Sequence, residues 1–207
     1  MSAEVLLIFI GACWLLAWTP GPMMALILAN VSAYGLAGGL WTLVGNLAGL
    51  SFLVAAAALG MTSLMVFMSE WFDVIRWIGA LYLAWIGIDR LRRVWRGDIT
   101  SPDAKPAKRH RLFLQALTVS LSNPKVLLFL GAFLPQFVNA NAGDVGFQLS
   151  VLAITFVAVI GIADTIYTIA VARMRGLFTG RRLRGLDGVS GGLLLLGGLM
   201  LATARRP

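Results

Sequence analysis

Residues 5–69 read VLLIFIGACWLLAWTPGPMMALILANVSAYGLAGGLWTLVGNLAGLSFLVAAAALGMTSLMVFMS. These 65 positions, between Glu4 and Glu70, hold no charged residue. A water-soluble fold must keep a wetted surface and does not leave so much chain uncharged. A chain built this way has hydrocarbon as its solvent. The rest of the sequence agrees: 59% of the 207 residues are hydrophobic and 13% are charged, where a soluble domain carries roughly a quarter charged. An ordinary soluble enzyme, a nucleic-acid-binding domain and a disordered tail are excluded. The expected fold class is an all-α integral membrane protein.

The formal charge of +8 is concentrated rather than spread. Eight of the 17 basic residues fall between Arg90 and Arg111, and five more between Arg173 and Arg184. Two basic clusters separated by apolar spans follow the positive-inside pattern of cytoplasmic loops. No soluble module is present to carry a basic stripe to a nucleic acid, so no nucleic-acid partner is expected. The single cysteine, Cys13, and single histidine, His110, exclude an intrachain disulfide or dithiol relay and leave few soft metal ligands. The longest polar segment, about residues 92–111, includes Pro102 and Pro106 and reads as a flexible linker. It is too short for a nucleotide-binding domain, and the chain has no GxxxxGK[ST] run, which argues against ATP-driven transport by this chain alone. No cofactor is expected. No Ser/His/Asp, paired-carboxylate or HExxH constellation points to an enzyme.

About 20 helical residues cross a bilayer core. By that measure six spans are expected: Val5 to Ala29, Leu36 to about Met61, Phe72 to Leu91, Leu112 to about Phe137, Phe147 to Ala172 and Leu186 to Ala202. Asn30 to Tyr34, followed by Gly35, reads as a turn, and Asn139 to Gly146 as a polar turn. Thr62 to Ser69 reads as a helix end or interfacial piece. Trp71, Phe72, Trp77 and Trp95 read as an aromatic belt. Residues 1–91 then form one three-helix half and 112–207 a second, joined by the basic segment 92–111. The basic clusters place the third-to-fourth and fifth-to-sixth connections in the cytoplasm, and both termini outside. Met1 to Glu4 lacks the basic region of a signal peptide, so the first apolar run is expected to be retained. Arg205 and Arg206 at the outer end depart from the rule.

Within this apolar chain the polar exceptions carry the functional signal. The first span holds Thr19, Pro20, Gly21 and Pro22; the fourth holds Ser122, Asn123, Pro124 and Lys125. Proline removes a backbone donor and pushes away the carbonyl four residues earlier. A single such kink is ordinary packing. Two, at corresponding places in halves that enter from opposite sides, are the pattern of an inverted repeat whose proline-broken first and fourth helices line a midplane site. Lys125 lies about 20 Å along the fourth span from its cytoplasmic end. Asp164 lies in the fifth span with Tyr167 about one turn on. Ionisable groups inside a membrane are candidates for function. Asp164 either exchanges a coupling proton or holds a substrate ammonium, or else pairs structurally with Lys125 or Arg173. Asn46 is either glue between helices or a site donor. The pairs Gly35 and Gly39, Gly45 and Gly49, and Gly188 and Gly192 each form GxxxG, serving close helix packing or, as the alternative, a homodimer seam.

These motifs together resemble the lysine exporter (LysE/RhtB) family of small bacterial amino-acid efflux permeases. Four stretches carry the likeness: TPGP at Thr19 to Pro22, with Gly35 to Gly49 after it; GALYLAWIGIDRLR at Gly79 to Arg92; NPKVLLFLGAFLPQF at Asn123 to Phe137; and ADTIYTIAVARMR at Ala163 to Arg175. The resemblance implies a secondary carrier that exports an amino acid or close relative, with proton antiport as its drive and membrane lipid as its surroundings. By motif it implies Pro20, Gly21, Pro22, Asn123, Pro124, Lys125 and Gln136 as substrate-binding positions. The family also includes members linked to metal-ion export, so a metal-cation exporter is the alternative, and a non-transporting membrane subunit another.

Overall fold

The structure is a computed structural model that describes residues 2–59, 77–78, 80–89, 91–92, 94–96, 108–139, 143–174 and 181–203. Among the described residues there are helices and short connections and no strand. Helix α1 is Ala3–Trp18 and α2 is Pro22–Leu59. The described helical residues between 77 and 96 form α3. Then come α4, Arg109–Leu121, and α5, Pro124–Leu128. A π-turn at Phe129–Phe133 and a 3₁₀ turn at Leu134–Phe137 follow. Helices α6, Val145–Met174, and α7, Arg181–Thr203, complete the chain. By length and composition, Pro22–Ala57 and Val145–Met174 can each cross a membrane; Arg109–Leu121 with Lys125–Gly131, bent by 43°, supplies a third if taken as one span. The expected interfacial piece Thr62 to Ser69, the belt residues Trp71 and Phe72, most of the basic linker, and Arg205 and Arg206 lie outside the described residues. Trp77 and Trp95 are exposed.

The expected turn at Asn30 to Gly35 contracts to one residue. Residues 30–34 are helical, and Gly35 alone leaves helical geometry, at φ 69° and ψ −163°. That region of backbone space is essentially closed to residues with a Cβ. Twelve residues of straight helix would span about 18 Å, yet Asn30 Nδ2 donates to Thr42 Oγ1 at 2.9 Å. The chain therefore reverses at Gly35, and α2 is two arms lying side by side. Gly38 and Gly39 make the reversal tight: a Cβ on Gly38 would lie 2.7 Å from Asn30 O, and one on Gly39 2.5 Å from Val31 Cγ2.

Glycine also sets how the second arm meets α4. A Cβ on Gly45 would strike the Phe113 carbonyl and come within 2.9 Å of Ala116 Cβ, and one on Gly49 would lie 2.6 Å from Ser120 Cβ. This GxxxG is an intramolecular seam. Helix α7 docks on α3 through other glycines than those singled out in the sequence: a Cβ on Gly87 would lie 2.8 Å from Gly191 O, and one on Gly198 2.9 Å from Ala80 O. Gly188 and Gly192 meet nothing within 4 Å.

One apolar cluster joins α1, the second arm of α2, the π-turn region and α6, around Phe9, Leu50, Phe129, Leu134 and Phe156. Phe129 stacks on Phe156 at 5.2 Å between ring centroids, and Phe137 meets Phe9 edge-on at 5.0 Å. The π-turn gives way to the 3₁₀ turn around Pro135, which cannot donate to the carbonyl four residues back, so the α-helical ladder loses its register there. The outer surface is apolar. Leu7, Leu15, Phe52, Leu81, Ile154 and Leu199 are each more than 60% exposed, an arrangement stable against lipid tails and costly against water.

Candidate functional site

Each proline break frees particular backbone groups. Pro20 has no N–H to give Leu16 O, the acceptor one turn back, which keeps only a 3.2 Å bond from the Thr19 N–H that it shares with Leu15 O. Helix α1 stops at Trp18, Thr19 is extended, and Thr19 Oγ1 turns inward to donate to Leu15 O at 2.9 Å. The C-terminal end of α1, with its partial negative charge, thus faces the break. In the second break Pro124 is the first residue of α5, and Asn123 caps it: Asn123 Oδ1 accepts from Lys125 N at 3.1 Å. Asn123 is buried.

The two breaks meet through one side chain. Lys125 Nζ donates to Leu16 O at 2.8 Å and to Thr19 O at 2.9 Å. Its stem passes Gly21, where a Cβ would make ordinary contact with Lys125 Cε at 3.7 Å. Helix α7 closes against the first break at Gly197, where a Cβ would lie 2.5 Å from Pro22 Cγ. Around this junction is a cavity of about 680 Å³, lined by Thr19, Pro20, Gly21, Pro22 and Lys125 and by apolar residues of α1, α5, the π-turn and α7. Pro20, Gly21, Pro22 and Lys125 are therefore brought together.

A second polar cluster lies deeper, between α2, α4 and α6. Asn46 Nδ2 donates to Asp164 Oδ2 at 2.7 Å, and Ser120 Oγ donates to Asn46 O at 3.2 Å. All three residues are buried. Asp164 and Lys125 are near enough to interact electrostatically, but their hydrogen bonds go elsewhere, and the structural ion pair with Lys125 considered for Asp164 is not what holds it. Thr168, on the same face of α6 one turn on, is buried with its Oγ1 lacking a hydrogen-bond partner. Tyr167 is half-buried against the core on the α7 side. Gln136 stands exposed on the 3₁₀ turn. Neither it nor Asn46 lines the cavity.

A third group was not singled out in the sequence. Asn30 Nδ2 reaches Thr42 Oγ1 and, at 3.4 Å, Gln115 Oε1, and Thr42 Oγ1 donates to Gly38 O at 2.8 Å. Asn30 had the look of a turn residue, and is instead a buried bridge between both arms of α2 and α4. At the opposite end of the molecule the buried Gln148 holds the Asn139 backbone by two bonds of 3.1 and 3.0 Å. Among the described residues no three His, Cys, Asp or Glu side chains gather as a metal site would need.

Comparison with known proteins bears on this arrangement. The model of the family described as "LysE type translocator" matches residues 14–205. The homoserine/homoserine lactone efflux protein of Salmonella typhimurium is 29% identical over 192 residues, 92% of each chain. An uncharacterized membrane protein of Pseudomonas aeruginosa is 32% identical over 191 residues, 89% of this chain and 88% of that one. The leucine efflux protein of Klebsiella pneumoniae is 32% identical over 146 residues, 70% of this chain and 68% of that one. No solved structure matches.

Proposed function

The chain belongs to the LysE type translocator family, and from that premise we propose that it exports amino acids, or closely related small metabolites, from the bacterial cytoplasm by proton antiport. The observation that carries the reading is the junction of the two broken helices, where Lys125 of one break holds the carbonyls of Leu16 and Thr19 in the other. Broken helices whose ends converge at a cavity suit a small zwitterion, because freed backbone groups and a cation lie together in an otherwise apolar wall. The relatives named for efflux of homoserine, homoserine lactone and leucine support an amino-acid substrate.

In this reading six spans form two inverted halves, and rocking of one half against the other alternates access to the junction. The hairpin at Gly35 lies on the cytoplasmic side with the basic linker. Supporting this, Arg109 at the start of α4 sits over the Trp41 ring at 5.8 Å, near the hairpin. Both termini are then outside. Asp164, held by Asn46, is the group that exchanges the coupling proton, with Tyr167 beside it. Asn123 and Pro124 begin the helix that carries Lys125 and serve the substrate through it, and Gln136, set back from the cavity lining, is the remaining substrate-side position that the motif suggests.

The test is efflux from vesicles. Purified protein is reconstituted, loaded with labelled leucine or homoserine, and exposed to an imposed pH gradient. Efflux that follows the gradient is expected. Efflux of neither compound nor of any other amino acid rejects the exporter, and efflux indifferent to the gradient rejects the proton coupling.

A further inference from the structure

The ammonium of Lys125 already occupies a binding site. Leu16 O and Thr19 O are acceptors only, at the negative end of α1, and they grip Nζ at 2.8 and 2.9 Å. A carboxylate cannot sit there; a primary ammonium with donors to aim at both oxygens can. The adjoining cavity has one chemical character beyond this point. Among its described lining residues the only polar side chains are Thr19, whose hydroxyl is committed to Leu15 O, and Lys125 itself. The remaining wall is apolar: Phe129 is buried, while Leu15, Leu128, Phe133 and Leu196 are exposed, so the cavity opens to the outer surface. No other side chain among the described lining residues offers a hydrogen bond to a hydroxyl or a second charge on a ligand's side chain. Its volume of about 680 Å³ is within the range of small-molecule sites.

We propose that the Leu16 and Thr19 carbonyls are the seat of the substrate's α-ammonium, that Lys125 holds this seat as a tethered stand-in, and that the substrate displacing it is an α-amino acid with an apolar, unhydroxylated side chain. The proposal rests on the exporter reading and names its substrate class. Displacement serves both ends of the ligand. The α-ammonium takes the two carbonyls, and the released Nζ, on its flexible stem, turns to the α-carboxylate. No proton or bond is transferred in the exchange. In the empty transporter Lys125 therefore caps Thr19 O and shares Leu16 O with the Thr19 N–H, and the site opens only to a ligand that replaces the bonds Lys125 gives up.

The test uses n-butylammonium, which has the ammonium and the apolar body but no carboxylate for Lys125 to meet. Binding to the full chain is measured by calorimetry in phosphatidylcholine vesicles, which contribute no primary amine. A stand-in that fills the seat some nine-tenths of the time weakens a competitor about tenfold. Lys125→Ala should therefore bind n-butylammonium about tenfold more tightly than the native protein does. Lys125→Leu, which keeps the packing of the stem but ends short of the carbonyls, should show the same gain. Neither variant should gain affinity for n-butanol or tetramethylammonium. Equal butylammonium affinity in native and variant proteins, or an equal gain for tetramethylammonium, overturns the proposal. If neither variant folds unaided, n-butylammonium in the medium must restore the folded yield, and failure to do so also overturns it. In the native protein leucine should leave vesicles at least several-fold faster than homoserine; the reverse order removes the apolar side-chain assignment while the exporter reading stands. Butylammonium binding as expected with no amino acid exported rejects the exporter reading and leaves the ammonium seat intact.

Discussion

Asp164→Asn is expected to leave the fold nearly unchanged and to abolish gradient-driven export. The bond from Asn46 Nδ2 to Asp164 Oδ2 is 2.7 Å long, and the residues at its two ends are 2% and 5% exposed. Asparagine at 164 has the same shape and still presents an oxygen to Asn46. A charge-assisted bond becomes a neutral one, a loss of about 1 kcal/mol. Against this, a neutral amide is easier to hold away from water than a carboxylate by at least as much. The net change should lie within about 1 kcal/mol of zero. Asn46→Leu cuts the same bond from the other end and strands the carboxylate in the interior, which costs about 3 kcal/mol. The two variants should therefore differ sharply in thermal unfolding of the purified protein. In vesicles, Asp164→Asn should carry no efflux that responds to a pH gradient. If Asp164→Asn is destabilised as much as Asn46→Leu, the pair is a structural lock and not a coupling site. If Asp164→Asn exports at the native rate under the gradient, Asp164 has no part in coupling.

Three further outcomes follow from the packing. Gly35→Ala forces a Cβ into backbone geometry at φ 69°, ψ −163° and should destabilise the protein by about 1–3 kcal/mol, read as a lowered unfolding temperature; an unchanged temperature would mean the reversal is made some other way. Gly197→Ala sets a methyl 2.5 Å from the Pro22 ring, so α7 must move off the first break, with a loss of about 1–3 kcal/mol and slowed efflux, whereas Gly21→Ala, with 3.7 Å to the Lys125 stem, should fold normally. Thr168→Val removes a buried hydroxyl that has no partner and should raise stability by about 1 kcal/mol; a loss of stability would show that the hydroxyl is satisfied in solution.

Much of the architecture could be read from residue types. Prolines at 20, 22 and 124 mark helix breaks because the missing donor is a property of the residue itself, and α1, α4 and α5 end or begin there. Lys125 and Asp164 stood out because charge is rare in hydrocarbon. Their partners could not be read. Lys125 is held by two backbone carbonyls, and every residue has a carbonyl, so only the fold selects those of Leu16 and Thr19. Asn30 and Gln115 are 85 positions apart, and their pairing depends on a reversal at Gly35 that is one glycine among 23. The same ambiguity affected α7. Gly188 and Gly192 have the expected spacing, but Gly191 and Gly198 face α3, because the phase of a helix is set by what it packs on and not by its small residues alone.

The reversal at Gly35 also bears on how the protein is made. A hairpin whose two arms join at a single uncharged residue offers the insertion machinery no hydrophilic segment to retain or to push across. Nothing between Glu4 and Glu70 states which way it should face. The cluster of positive charge that can decide this begins at Arg90, 55 positions after Gly35. In the proposed topology, the charge that would orient the hairpin is therefore synthesised after the hairpin itself.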